Sequence, residues 1–265
     1  MKVYTEHTSS KKAILFFTGW GMDENPFKHL EHKGYDLIMF YDYSTLTFKN
    51  CPQDEICAPQ CSQECIMQQI FNYYREIYII GWGLGVWCAS AAFDKYLVRL
   101  GHFGQFRELK FWARIKRTIA INGTLIPISK TWGITPHSYK KTLDALPDSN
   151  IMENFLHRMC QGKKEYEFYI SHSPQREATE AKEELDTIEK ELFLSNSLTW
   201  DTAIISEDDI IFKTHRQKAF WENYSNISDG YIPGTRRKFN LKMVNIPGSH
   251  YMFNRYHSWE EILNL

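Results

Sequence analysis

The run Gly81-Trp82-Gly83-Leu84-Gly85 has the frame of a nucleophile elbow, glycine-x-nucleophile-x-glycine, with a glycine where the nucleophile belongs. Such an elbow carries its central residue on a sharp strand-to-helix turn, and the flanking glycines let neighbouring backbone come close. The apolar run Glu76-Ile77-Tyr78-Ile79-Ile80 leads into it, and the residues after it read as a helix. A serine at residue 83 would complete the arrangement. The chain has no hydroxyl there.

Two further groups lie downstream. In Ile205-Ser206-Glu207-Asp208-Asp209-Ile210-Ile211-Phe212 a carboxylate leaves the tip of an apolar run, the placement suited to orienting an imidazole. Asp208 best matches the pattern Asp-x-apolar-apolar, with Asp209 as the alternative, and either could instead cap the next helix. In Pro247-Gly248-Ser249-His250-Tyr251, His250 sits in a loop after the last apolar run, where a general base would stand. Thr18-Gly19-Trp20-Gly21-Met22 follows the first apolar run. Acyl transfer needs backbone N–H groups aimed at a developing oxyanion, and those of Trp20 and Leu84 are the candidates. Gly19 and Trp82, beside them, are expected to meet substrate. The order nucleophile, acid, histidine is that of α/β-hydrolases.

These residues need a sheet to position them. Short runs rich in Ile, Phe, Val and Tyr span Ala13–Thr18, Asp36–Tyr41, Ile77–Gly81, Thr118–Asn122, Thr202–Ser206 and Leu241–Ile246. They lack polar alternation, as strands covered on both faces do. Helices are predicted between them at Asn25–Lys33, Glu55–Tyr74, Leu84–Leu100, Gln217–Tyr224 and Trp259–Asn264. The alternation predicts an α/β, doubly wound, mostly parallel sheet. Residues 124–200 break that rhythm with helical patterns at Ser138–Leu146, Asn150–Cys160 and Glu177–Ser195. The expected organisation is a core of residues 1–123 and 201–265, with 124–200 as a helical cap before the penultimate strand, above the strand ends where such sheets bind ligands.

The composition excludes several classes. With 31 basic and 32 acidic side chains the formal net charge is -1, which argues against nucleic acid or an anionic membrane as partner. No stretch approaches the ~20 apolar residues of a membrane span. The polar Met1–Lys12 and the short run Ala13–Phe17 do not make a signal peptide, so a cytoplasmic location is expected. Cys51, Cys57, Cys61 and Cys65 cluster, but their spacing is wrong for paired zinc knuckles. If 55–69 is helical, three of them share one packed stripe. Cys88 and Cys160 read as buried thiols.

Phe17-Thr18-Gly19-Trp20-Gly21-Met22-Asp23, Gly81-Trp82-x-Leu84-Gly85-Val86, Ala120-Ile121-Asn122-Gly123-Thr124 with Pro127-Ile128, Arg158-Met159-Cys160 and Gly248-Ser249-His250-Tyr251 together resemble the BioG-type pimeloyl-acyl carrier protein methyl ester esterases. The likeness spreads over most of the chain; Phe48–Glu64 and Lys95–Phe111 read as insertions. It implies an α/β-hydrolase of biotin synthesis that demethylates pimeloyl-acyl carrier protein methyl ester, with no metal or organic cofactor. By that likeness His250 shuttles the proton, Asp208 orients it, and the amides of Trp20 and Leu84 hold the oxyanion. An acidic carrier protein implies a basic docking surface near the cap. Arg107, Lys110, Arg114, Lys116 and Arg117 form one candidate cluster, and Arg236, Arg237 and Lys238 another.

Gly83 departs from that family pattern, since no acyl-serine can form on it. Three readings follow. The chain is an esterase inactivated by glycine at the serine position; it is a pseudo-hydrolase that binds carrier protein or acyl groups without turnover; or another nucleophile serves, with Cys88, Ser90 or water as candidates. A purely structural protein is a fourth reading, and it leaves the ordered acid, base and donor loop without a cause.

Overall fold

The computed structural model describes residues 1–48, 66–100, 112–192, 198–227 and 240–265. Seven strands form one sheet: β1 (Lys2–Glu6), β2 (Lys12–Phe17), β3 (Asp36–Tyr41), β4 (Glu76–Trp82), β5 (Ile115–Ile121), β6 (Thr202–Ser206) and β7 (Lys242–Ile246). Their order across the sheet is β1-β3-β2-β4-β5-β6-β7. β1 pairs antiparallel with β3, and every other pairing is parallel. The six strands predicted from apolar runs are all present. β1 is additional and lies in the polar N-terminus, because an edge strand is only half buried and needs no apolar run.

The apolar runs are continuous because both faces of the sheet are covered. In β2, Ala13, Leu15 and Phe17 enter one core cluster while Ile14 and Phe16 enter the other. Adjacent strands follow suit, with Ile38 and Phe40 on the first face and Leu37 and Met39 on the second. Each fully buried side chain of this size contributes about 1.5–3 kcal/mol relative to exposure, so Leu15→Ala would cost about 2–5 kcal/mol.

Helix α1 (Ile66–Tyr73) precedes β4, and α2 (Leu84–Leu100) follows it. Between β5 and β6 lie α3 (Pro136–Ala145), α4 (Ser149–Cys160), α5 (Lys163–Ile170) and α6 (Ala178–Lys190). Local chemistry sets their starts. The Thr135 hydroxyl accepts from the Ser138 amide, with Pro136 in the first turn, and the Asp148 carboxylate accepts from the Asn150 amide. α5 has no counterpart among the sequence predictions. Asn25–Lys33, expected as a helix, is a single 3-10 turn over Asn25–Phe27. α7 (Thr214–Ile227) and α8 (Trp259–Leu263) complete the chain. The helices of 136–190 are no detached lid: Tyr139, Leu143, Ala181 and Leu185 extend one core, and Met159, Cys160 and Tyr169 the other.

The described residues hold no helix long and apolar enough to cross a membrane. Cys51, Cys57, Cys61 and Cys65, with Arg107, Lys110, Arg236, Arg237 and Lys238, lie outside the described residues.

The connection leaving β2 runs to β3 on one side, whereas the one leaving β4 runs to β5 on the other. This is a topological switch point, where open α/β sheets leave a crevice beyond the strand ends. Phe17 is paired with Gly81, so the loops after β2 and β4 start at the same height. Ser206 is likewise paired with Ile246, bringing the loops after β6 and β7 level. Four loops meet at one end of the sheet.

Candidate active site

Gly83 is the turn residue between β4 and α2, with φ +58°. That left-handed backbone is costly for most side chains, and it is what an elbow imposes on its central residue. Gly85 serves close approach: a Cβ there would lie 2.3 Å from the carbonyl oxygens of Phe17 and Thr18. The Gly83 amide donates to the Ile121 carbonyl at 2.9 Å, which ties the elbow to β5.

A Cβ built on Gly83 would stand 3.1 Å from Nε2 of His250 and 3.4 Å from its Cε1. The imidazole therefore faces the position that a serine hydroxyl would take, and a side chain there would need the ring to give by a few tenths of an ångström. The other ring nitrogen, Nδ1, lies 2.8 Å from Oδ2 of Asp209. Both side chains are buried, at 4% and 0% exposure. Asp209 is held from every side. Its Oδ1 accepts from the amides of Ile211 and Phe212, at 2.8 and 3.0 Å, and its Oδ2 also accepts from Nε2 of Gln217 at 2.8 Å.

Asp208, the favoured acid of the sequence pattern, is therefore not the partner of His250. It is exposed; its backbone amide donates to the Gly248 carbonyl, and its own carbonyl accepts from the side-chain Nε2 of Gln161. The turn explains the shift by one residue. A carboxylate that accepts from the amides two and three positions on must fold back under its own loop, and only Asp209 does so.

Trp82 also stands elsewhere than expected. It is buried behind the imidazole, with its ring 5.1 Å from that of His250, and its Nε1 donates to the His250 carbonyl at 3.0 Å. It does not line the cleft. Gly19 stands close to the nucleophile position: its Cα lies 4.0 Å from the Cβ position of residue 83, and a Cβ on Gly19 would stand 2.8 Å from the Trp82 ring. Phe212 closes the imidazole's other face, nearly parallel at 6.1 Å.

Asn122 carries more of the site than its place in a motif showed. Its Nδ2 donates to the Ser206 hydroxyl and to the His250 carbonyl, both at 2.8 Å, and its Oδ1 accepts from the Ser206 amide at 2.8 Å. One buried amide thus fastens the ends of β5 and β6 to the histidine loop. The signal available in the sequence was the Asn-Gly pair just past a strand, a turn dipeptide that agrees with the φ of +47° found at Asn122.

The cleft is lined by Trp20 and Leu84 at its base beside His250, and by Tyr139, Phe155 and Leu185 from the inserted helices. Its cavity volume is about 130 Å³, and it opens to solvent. Neither the Trp20 amide nor the Leu84 amide donates to a protein acceptor among the described residues. Cys88 is buried, and burial pushes its thiol well above the usual range; Ser90 is buried and accepts from the Trp200 indole at 3.2 Å. Neither lines the cleft.

Three cations do line it: Arg158, Lys213 and Arg216. The expected cluster at Arg114, Lys116 and Arg117 stands instead at the start of β5, at the opposite end of the sheet. There Arg114 donates to the Tyr74 carbonyl and Arg117 to Thr202 and the Leu263 carbonyl, so these side chains brace the sheet's far edge.

Known proteins bear on this arrangement. The chain is 33% identical over 218 residues to the malonyl-[acyl-carrier protein] O-methyltransferase of Bacteroides fragilis, a match that covers 82% of this chain but only 38% of that protein. Among solved structures, BioG from Haemophilus influenzae superposes with a TM-score of 0.71 at 24% identity, covering 98% of this chain and 99% of the other. A thermophilic esterase from Thermogutta terrifontis, crystallised with malate, superposes with a TM-score of 0.57 at 13% identity, covering 98% and 89%. The fold is that of α/β-hydrolase esterases. The family model described as pimeloyl-ACP methyl esterase BioG matches residues 1–262, and the chain belongs to that family.

Proposed function

We propose that this chain is built for the carboxylic ester of a pimeloyl chain carried on acyl carrier protein, and that Gly83 leaves it able to bind such an ester but scarcely to cleave it. The observation that carries this is the aim of His250: Nε2 directed at residue 83, with Asp209 behind it. A purely structural protein would have no need to bury that pair at a switch point.

With serine at 83 the reaction follows from the geometry. The hydroxyl attacks the methyl ester carbonyl and passes its proton to Nε2. The amides of Trp20 and Leu84 receive the oxyanion, and Asp209 supports the imidazolium. Collapse expels methoxide, which takes the proton from His250 and leaves as methanol. Water, activated by the same imidazole, then releases the free ω-carboxylate and restores the serine. Aromatic and aliphatic walls suit the alkyl chain, and Arg158, Lys213 and Arg216 suit the anionic carrier or its phosphate.

Loss of a triad nucleophile lowers turnover by about 10⁶-fold in a well-studied hydrolase. The test is Gly83→Ser, assayed on pimeloyl-acyl carrier protein methyl ester, on a p-nitrophenyl ester and with a fluorophosphonate probe. We expect labelling at residue 83 and a rise in turnover of at least ~10³-fold. A folded Gly83→Ser protein that stays inert while the unaltered chain binds the acylated carrier would favour the pseudo-hydrolase reading. Inertness without binding would remove both.

A further inference from the structure

Arg176 and Glu184 form an ion pair deep in the inserted helices, with 3% and 0% of their side chains exposed. Burying such a pair commonly costs more stability than apolar side chains in the same space would. Burial pushes the Glu184 carboxyl up to about 7, against the pull of Arg176 and of the Gly21 amide. A pair held at that cost calls for a task beyond stability.

Its contacts point to one. Oε2 of Glu184 accepts from the backbone amide of Gly21 at 3.2 Å, and Nη1 of Arg176 donates to the Met22 carbonyl at 3.3 Å while pairing with Glu184. One turn earlier on α6, the Ala181 carbonyl accepts from the Trp20 indole at 2.7 Å. Arg176 is fixed in turn by Glu180 at 3.2 Å and approaches Asp42 at 3.6 Å. Three consecutive residues of the loop after β2 are thus fastened to α6 and to Arg176, two residues before it. The Trp20 amide belongs to the same peptide run, Trp20 lines the cleft, and its amide donates to no protein acceptor among the described residues.

We propose that Glu184, held by Arg176, is a positioning residue: it anchors Gly21 so that the Trp20 amide is presented to the reacting carbonyl. The inference rests on the reading of Trp20 as an oxyanion donor. It makes α6 a working part of the site rather than a cover over it.

The test separates tether from ion pair with two double variants. Arg176→Met with Glu184→Leu replaces the pair by apolar side chains and leaves Gly21 without an acceptor. Arg176→Met with Glu184→Gln removes the charges but keeps an acceptor for Gly21. In the Gly83→Ser protein, the first should lower kcat on a p-nitrophenyl ester by about 10²-fold, as loss of an oxyanion donor does, with KM within twofold. The second should restore most of that loss. Equal kcat in the two doubles, or an unchanged kcat in the first, would overturn the proposal whatever their melting temperatures. If the first fails to fold, Arg176→Met with Glu184→Met removes the acceptor while filling the space flexibly. Amide hydrogen exchange in the unaltered Gly83 background gives an independent reading. Gly21 should exchange about tenfold faster in the first double than in the second. Should Gly83→Ser give no turnover, the esterase reading falls, and the exchange rates still decide whether Glu184 holds the loop; equal rates would overturn it.

Discussion

Two buried aspartates in this molecule each meet a histidine through Nδ1, and only one pair stands in a site. His250 and Asp209 lie 2.8 Å apart at the C-terminal ends of the strands, both side chains buried. His7 and Asp36 lie 3.0 Å apart at the N-terminal start of β3, with the His7 side chain 59% exposed. The remaining partners of Asp36 are the amides of Thr8 and Ser10, the Thr8 hydroxyl and the Tyr74 hydroxyl, so it staples a loop to the sheet edge. An Asp–His pair is therefore not a catalytic signature in itself. What differs is what lies beyond the imidazole: for His250 it is the elbow of β4, between two loops that a switch point leaves open.

Removing each histidine in the Gly83→Ser protein should separate the two pairs by the largest margin. His250→Ala and Asp209→Asn should each lower kcat/KM by about 10³–10⁴-fold, whereas His7→Ala should leave it within twofold. Steady-state hydrolysis of a p-nitrophenyl ester reads all three. A large loss from His7→Ala would mean that the two pairs are not distinguished by position.

The reverse asymmetry belongs to stability. Asp36→Ala leaves the buried Tyr74 hydroxyl and the half-buried amides of Thr8 and Ser10 without an acceptor and should cost about 1–3 kcal/mol in urea unfolding, with turnover of the Gly83→Ser protein unchanged. Acid sharpens the point. Burial alone would push the Asp36 carboxyl up, but hydrogen bonds from His7, Thr8, Tyr74 and Ser10 outweigh it and hold the group well below the usual carboxylate range. A carboxyl with a depressed folded value stabilises fully above its unfolded pKa, about 3.9, and loses that contribution as pH falls toward the folded value. The stability gap between the unaltered chain and Asp36→Ala should then be widest above about pH 4 and narrow below it, measured by urea unfolding at successive pH values.

The same contrast marks where the sequence was legible. Apolar runs without alternation located six strands, since covering both faces leaves no polar register to confuse them. β1 escaped because an antiparallel edge strand is half exposed. The loops of the site were legible as loops, each a glycine-rich or acidic turn just past a strand. Their side-chain directions were not. Trp82 sits next to the elbow in sequence yet turns inward beneath His250, and no spacing rule says which way a residue at a strand end will face. Asn122, Gln217 and Glu184 act through partners 84 to 163 residues away or from a helix with no local motif, and such contacts exist only once the fold brings them together.

The smallest expected effect tests the finest of these distinctions. Asp208 and Asp209 are adjacent, both acidic, and both fit a turn after β6. The fold separates them by a single peptide: Asp209 turns under the loop to meet Nδ1, while Asp208 faces solvent and engages its neighbours through its backbone. A backbone contact survives a change of side chain. Asp208→Asn in the Gly83→Ser protein should therefore leave kcat within twofold and shift stability by less than about 0.5 kcal/mol, as exposed substitutions do. If it lowered kcat as far as Asp209→Asn does, the carboxylate that meets Nδ1 of His250 would not be the one that supports the imidazolium, and the turn would have to rearrange when substrate binds.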